Sequence, residues 1–300
     1  VADLNFFREL GDSQLGFLQS LLDAACHQPP DDWVTWHCGN HLLGYLSPDR
    51  AQWLAGSLPA SERIGAKVQW HAGASSIAER SAVLQTLLER ARDVGLVPGW
   101  RNEKFSHRLP AATANANAAS TSTIGRRDTQ GAQPDDPEKG VFLQVERAGF
   151  RFLGMRSEAV HINGFTEGGQ LWCGRRSLAK PTDPGMLDNL SAGGLPCGET
   201  LLGCAVRELE EEAGFTVPAT AVLRAQGSVL TARLEPQGWH EEVLHVFNMT
   251  VPAGFVPVNR DGEVAEFVCL GPDEALRRLR ACEFTPDAAI ALALGARCVG

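Results

Sequence analysis

With 300 residues, 44% of them hydrophobic, the chain is long enough for two ordinary domains, each with its own core. Twenty-seven Lys and Arg against 36 Asp and Glu leave a formal charge of −9, which argues against a broad nucleic-acid or acidic-membrane footprint and means that an anionic ligand needs local cationic help. No apolar run of about 18 residues is present, so no transmembrane helix is expected; the start VADLNFFREL lacks the basic-then-apolar order of a signal peptide, and eight cysteines without a CxxC pair read as reduced, packed thiols of a cytoplasmic protein.

Residues 3–26 carry apolar side chains at helical spacing, among them Phe7, Leu10, Leu18, Leu21 and Leu22. Trp33 to Leu46 reads as extended, and Ser47-Pro48-Asp49 is a helix start with Pro at the first helical position. Lys67 to Trp70 reads as a short strand. Ser76 and Glu79 form a capping box that opens a helix through Leu84, Leu87, Leu88 and Ala91, closed by Gly95. These elements make residues 1–109 a small α+β accessory domain; its histidines (His27, His37, His41, His71) have no metal-ligand spacing, and its closing segment, with Trp100 and Arg101, suggests no chemistry of its own. Residues 110–140 are rich in Ala, Asn, Ser, Thr and Gly and nearly free of bulky apolar residues. They read as a flexible linker or insertion, because so little burial cannot offset ordering entropy.

From 141 to 300 a second domain is expected. Ala159–Phe165 and Leu171–Arg176 form a hairpin around Glu167-Gly168-Gly169, and 222–234 pairs with 241–250 around Pro236-Gln237-Gly238. Glu263–Leu270 is a strand, Pro272–Cys282 a helix, and Thr285-Pro286 opens a final Ala/Leu-rich helix. This pattern fits an α/β class domain, an α/β/α sandwich around a mixed sheet.

The chemistry concentrates in Gly193 to Phe215, GGLPCGETLLGCAVRELEEEAGF. Glu208, Glu211 and Glu212 stand at i, i+3 and i+4, on one face of a helix whose other face is Leu201, Leu202, Ala205 and Leu209. Gly214 falls where a helix C-terminus wants a residue with positive φ. Like charges four residues apart destabilise a helix. A hard divalent cation such as Mg²⁺ or Mn²⁺, which prefers carboxylate oxygens, would explain their grouping. Cys204 lies near the apolar face and reads as packing, and Glu210 as solvated charge.

This stretch resembles the Nudix box, G-x5-E-x7-R-E-U-x-E-E-x-G-U with U bulky and apolar, at every fixed position from Gly193 to Phe215. The resemblance implies the Nudix sandwich and a metal-dependent hydrolase of diphosphate linkages. It makes Glu208, Glu211 and Glu212 metal ligands, Arg207 the residue that orients them, and Glu199 a supporting acid. It also implies a further acid outside the box; Glu263 is favoured as base or extra ligand, Asp261 stands second, and Glu241 and Glu242 are weaker candidates. Arg176 and Lys180, four apart just before the box, resemble the basic pair that holds diphosphate in isopentenyl-diphosphate isomerases of the same fold. Those isomerases place a cysteine where this chain has Ala192, so hydrolysis is favoured. The stretches HINGF, LWCGRRS and KPTDPGMLDNLSAGGLP are similar to the Nudix subgroup associated with thiamine pyrophosphokinase, whose substrates are thiamine diphosphate analogues; Asp183 departs from the aromatic residue common there. The runner-up substrates are nucleotide sugars or ADP-ribose, and a non-catalytic ligand sensor is the rival of a different kind. The expected partner is thus a small-molecule diphosphate, with no nucleic acid and no membrane, and oligomeric state is left open.

Overall fold

The computed structural model describes residues 6–8, 10–73, 75–109, 136–216 and 223–297. A seven-stranded mixed sheet organises the second half of the chain. Its strands β11 (Leu223–Glu235), β12 (Gly238–Thr250), β7 (Arg156–Phe165), β8 (Leu171–Arg176) and β13 (Val264–Leu270) lie side by side in that order. Two short strands, β10 (Ser191–Gly194) on β7 and β9 (Leu187–Asp188) on β8, complete it. Only β12 and β7 run parallel; the other pairs are antiparallel.

Alternation along β7 sets the two faces. Val160 and Ile162 pack with Leu201, Cys204, Ala205 and Leu209 of one helix, α5 (Leu201–Ala213). Ala159 and Phe165 face the opposite layer, formed by α6 (Pro272–Arg280), α7 (Pro286–Arg297) and α1 (Asp12–Asp23). This is the expected sandwich.

The final helix approaches the sheet unusually closely. Asn163 and Asn248 hydrogen-bond each other at 3.0 Å, and they donate to the helix carbonyls of Ala291 (3.2 Å) and Gly295 (3.3 Å). A Cβ at Gly295 would lie 2.7 Å from Asn248 Oδ1, so only glycine permits this approach.

A smaller four-stranded sheet runs in the order β2 (His41–Leu46), β1 (Val34–Cys38), β4 (Lys67–Trp70), β3 (Ser61–Ile64). The extended stretch Trp33–Leu46 is therefore a hairpin turned at Gly39-Asn40. Helices α2 (Pro48–Ser57) and α3 (Ile77–Asp93) cover it, with the Ser76–Glu79 capping box formed as the sequence indicates. The pair β5 (Lys104–Arg108) and β6 (Val141–Glu146) and the short α4 (Ala148–Phe152) complete this unit.

Packing moves two expected boundaries. Phe142, Leu143, Val145, Phe150, Phe152, Leu153 and Met155 belong to the core built by residues 34–109, so the seam falls near residue 155, not at 140. The β5–β6 pairing causes this. The Leu109 N–H donates to the Gly140 carbonyl at 3.0 Å, so the chain leaves and re-enters the same ladder around the low-complexity stretch. Residues 110–135 of that stretch lie outside the described residues. At the other end, Phe6, Phe7, Leu10, Leu18 and Leu22 pack with α7 and belong to the large sheet, not to the small unit. The helical spacing over 3–26 is interrupted: residues 6–8 are helical, and a separate helix starts at Asp12 with Gly11 as its cap, its backbone N–H bound by the Gln14 side chain.

His107 on β5 lies in the seam, 3% exposed. Its Nδ1 lies 3.4 Å from the Arg156 carbonyl, an acceptor, so Nδ1 carries the hydrogen, and Nε2 has no hydrogen-bond partner among the described residues. Burial pulls its pKa from 6.5 down to about 4, outweighing the Arg156 carbonyl, which acts the other way. The unfolded chain then takes up a proton near pH 6.5 and the folded chain only near pH 4, so stability falls as pH drops through that window. A shift of that size corresponds to about 3 kcal/mol. His107→Gln should lose much less stability between pH 7 and pH 4.5 than the wild type in urea melts at each pH. Parallel losses in the two proteins would refute this origin.

Candidate active site

Helix α5 is built for position. Thr200 caps it by accepting the Gly203 N–H at 3.0 Å, and Gly214 ends it with φ 66°. The loop after β12 closes the C-terminus: the Val258 and Arg260 N–H groups donate to the carbonyls of Ala213 (3.0 Å) and Glu211 (3.1 Å). Those two bonds satisfy helix-end acceptors. They also carry Asp261 and Glu263 round to the helix. Leu201, Ala205 and Leu209 are buried as the spacing requires, but Leu202 is 39% exposed and Cys204 takes its place in the core.

Arg207 is the centre of the arrangement. Its Nε and Nη2 bind the two oxygens of Glu199 at 2.9 and 3.0 Å, and its Nη1 binds Glu208 at 2.8 Å and Glu211 at 3.0 Å. Burial works against the charged guanidinium, yet its bonds to Glu199 and the charge of Glu208 outweigh that and raise its pKa. Gly193 makes room for this: a Cβ there would stand 2.0 Å from Glu208 Oε1.

Glu212 points inward. It is 8% exposed, and its Oε2 accepts the Ala192 N–H at 2.9 Å. Burial first, then the charge of Glu208, push its pKa well up; burial and the charges of Glu211 and Glu263 likewise raise that of Glu208, against the pull of Arg207. Carboxylate oxygens of Glu212, Asp261 and Glu263 lie within 4.8 Å of one another. Glu263 also forms a short ion pair with Lys180. Burial raises its pKa, but that bond and the charges of Lys180, Arg101 and Arg147 overcome it and hold Glu263 below its ordinary value. The result is an all-oxygen cleft in which burial and neighbouring acids disfavour the charged forms of Glu208 and Glu212. A hard divalent cation fits such a donor set.

Other expected residues lie elsewhere or are already engaged. Arg176 binds Asp188 through Nη1 at 2.8 Å, and its Nη2 and Nε each donate an N–H to the Thr182 carbonyl at 3.0 and 3.2 Å. Three of its five N–H donors are thus used in holding the 177–186 loop. Glu241 pairs with Arg156 and Glu242 accepts from Ser157, so neither reaches the cleft. Glu242 instead joins His240 and Asp287. That second cluster suits a network of ion pairs: Arg233 grips Asp287 through two bonds (2.7 and 2.8 Å), and the Arg151 Nε–H points at His240 Nδ1 (3.3 Å). His240 therefore turns an N–H, not a lone pair, toward the two carboxylates. The Ala192 N–H escaped the sequence reading, since it carries no motif position, whereas Asp188 is the acid that the sequence offers Arg176 as an ion-pair partner.

A family model for the NUDIX domain matches residues 155–289. An uncharacterized Nudix hydrolase of Pseudomonas aeruginosa is 32% identical over 151 residues, which span 50% of this chain and 83% of that protein. The chain belongs to the Nudix hydrolase family. Two relatives from Arabidopsis thaliana share more of the chain: Nudix hydrolase 20, chloroplastic, is 34% identical over 63% of it, and Nudix hydrolase 24, chloroplastic, 32% identical over 70%. The matched parts are 44% and 51% of those two proteins, so the chain spans about half the length of its plant relatives. The family match starts at Met155, next to the seam that packing defines.

The raised pKa of Glu212 has a consequence for stability. A carboxyl whose pKa rises on folding favours the folded state at low pH and disfavours it as pH climbs past the unfolded value. Without divalent cations, Glu212→Gln should therefore melt higher than the wild type at pH 7, with the gap closing toward pH 4. The amide oxygen can still accept the Ala192 N–H. Mg²⁺ should raise the wild-type melting temperature and the variant's much less. Equal melting at pH 7 without metal, or equal gains with it, would count against a buried cation-seeking carboxylate.

Proposed function

We propose that this chain is a pyrophosphohydrolase that uses Mg²⁺ or Mn²⁺ to cleave a small-molecule diphosphate, X-diphosphate, to a monophosphate product. The observation that carries this reading is the Arg207-centred set of Glu199, Glu208 and Glu211, together with Glu212 facing Glu263 and Asp261. In this reading Glu208, Glu211 and Glu212 hold the cation. When bound, it supplies Lewis acidity toward a phosphoryl oxygen and lowers the pKa of a water. Arg207 keeps three acidic side chains from collapsing onto solvent or one another. Glu199 locks Arg207 from the loop before the helix. In the same reading Glu263, kept charged by Lys180, accepts a proton from the attacking water or serves as an extra ligand, with Asp261 beside it. Lys180 exchanges Glu263 for a phosphate oxygen when substrate enters.

For the substrate class we favour thiamine diphosphate analogues on the similarity of the 161–196 segment. Position 183 weakens that choice: Asp183 is half-buried with φ 49°, and burial raises its pKa, so it offers no aromatic surface to a ring. ADP-ribose or nucleotide-sugar diphosphates are the second reading. All seven described cysteines are free, which suits a reducing compartment such as the cytoplasm. Among the described residues no helix is long and apolar enough to cross a membrane.

A panel of thiamine diphosphates, ADP-ribose, NADH and sugar nucleotides, assayed with Mg²⁺ and with Mn²⁺, tests the reading. Turnover of at least one compound that EDTA abolishes, and that Glu211→Gln cuts by orders of magnitude in a folded protein, is expected. Binding without turnover across the panel would favour a ligand sensor. Lys180→Ala should raise KM about tenfold or more with a smaller effect on kcat, the loss of one charge-assisted contact. Arg176→Ala should instead lower stability by about 1–3 kcal/mol, because it strands Asp188 and the Thr182 carbonyl. A raised KM at unchanged melting temperature for Arg176→Ala would restore it as a substrate contact.

A further inference from the structure

The turn at residues 100–103 is held from several sides. Glu146, 1% exposed, accepts the backbone N–H of Arg101 at 2.9 Å and of Glu103 at 3.2 Å. Asn102 adopts φ 58°, a conformation uncommon outside glycine and asparagine, and its Oδ1 takes the Trp100 indole N–H at 2.9 Å. The Arg92 guanidinium lies over the Trp100 ring at 4.6 Å. These bonds fix the backbone of the turn, with Trp100 packed against the small core and Arg101 exposed beside it.

The next residues dock on the loop that leads into α5. The Cys197 N–H donates to the Lys104 carbonyl at 2.9 Å, and Phe105 bridges to Pro196. The Phe105 ring fills the space beside Gly194, 2.3 Å from where a Cβ would stand, and Glu208 fills the space beside Gly193. Two adjacent glycines thus separate the small unit from a carboxylate of the cleft. Arg147 lies over the Phe105 ring at 4.9 Å and pairs with Glu103 at 2.6 Å. The positive fields of Arg101 and Arg147 both reach Glu263.

The cations around the cleft divide sharply. Arg207, Arg176, Lys180 and Arg147 are each paired with a carboxylate. The Arg101 guanidinium makes no ion pair or hydrogen bond with any described residue; only its backbone N–H is engaged. A planar fork with all its donors free suits a phosphate, which it can take through two parallel bonds. In a chain of net charge −9, it also offsets the repulsion that a diphosphate meets near five glutamates.

We infer that Arg101, presented by the small unit, is a substrate-binding residue of the cleft that grips a phosphate group of the diphosphate, with Arg147 adding to the field. The ligand class rests on the diphosphatase reading. The small unit then completes the site, and substrate is held between the two units.

The test uses the full chain with saturating Mg²⁺ and methylenediphosphonate, a non-hydrolysable diphosphate, as calorimetric probe. Arg101→Ala should weaken binding about tenfold or more, as expected for one charge-assisted contact, and Arg101→Lys should recover part of it. The melting temperature should not move, since the guanidinium makes no ion pair or hydrogen bond with any described residue. KM for whichever panel substrate turns over should rise by a similar factor, with a smaller fall in kcat. Unchanged affinity and KM in Arg101→Ala would overturn the inference, as would an affinity loss that comes with a lower melting temperature and is not recovered by lysine. Because binding is read without turnover, the two readings fail separately. Arg101-dependent binding with no hydrolysis removes the enzyme and keeps the contact. Hydrolysis with an indifferent Arg101 keeps the enzyme and removes the contact.

Discussion

One guanidinium holds the cleft together. Arg207 binds three carboxylates, and each of them comes from a different demand on the chain: Glu199 from the loop before the helix, Glu208 from its inner side, Glu211 from its exposed side. In a partly buried setting such a cluster without its central cation would leave like charges facing one another in poor solvation. The local backbone follows from this. Gly193 is bare because Glu208 occupies its side-chain space, and Gly214 turns left-handed so that the following loop can approach the helix end. Of the four acids at fixed positions of the box, Glu212 is the one that Arg207 does not bind. It depends on a single backbone N–H, and burial leaves it the group most in need of a further cation.

The approach of the 251–263 loop is the second constraint. Its N–H groups occupy carbonyls at the end of α5, an arrangement that any helix end would accept. The effect here is to bring an acid from far along the chain to Glu212. Lys180 reaches the same acid from the loop after β8, a loop that Arg176 ties down through Asp188 and the Thr182 carbonyl. Of the two basic residues expected to meet substrate, Arg176 is thus engaged by Asp188 and Thr182, and Lys180 by Glu263.

The two units share more than a linker. The β5–β6 pair belongs to the small core, yet it lies against β7 and the loop leading into α5, with His107 buried at that seam and Arg108 paired to Glu158 at 3.0 Å. Phe105 against Gly194 makes the small unit a wall of the carboxylate-bearing loop. The N-terminal helix crosses in the other sense and packs on the last helix of the large sheet.

The sequence alone determined what depends on near neighbours. The helix of the box, its glycine end, the i, i+4 contact of Arg207 with Glu211, both hairpins and the Ser76–Glu79 cap follow from spacing, because those partners are at most a few residues apart. The carboxylate grouping was legible for the same reason, and the sandwich was legible from the order of strands and helices along the chain. Tertiary structure decided every partner distant in sequence. It chose Asp188 for Arg176, Glu263 for Lys180, Cys204 over Leu202 for the core, and the seam near 155 rather than 140. It also left Arg101 unpaired among the described residues. An ion pair or a buried face depends on which strands lie side by side, and no local pattern encodes that order. Composition marked 110–140 as a break in the chain, but only the β5–β6 ladder shows that one core spans both sides of it.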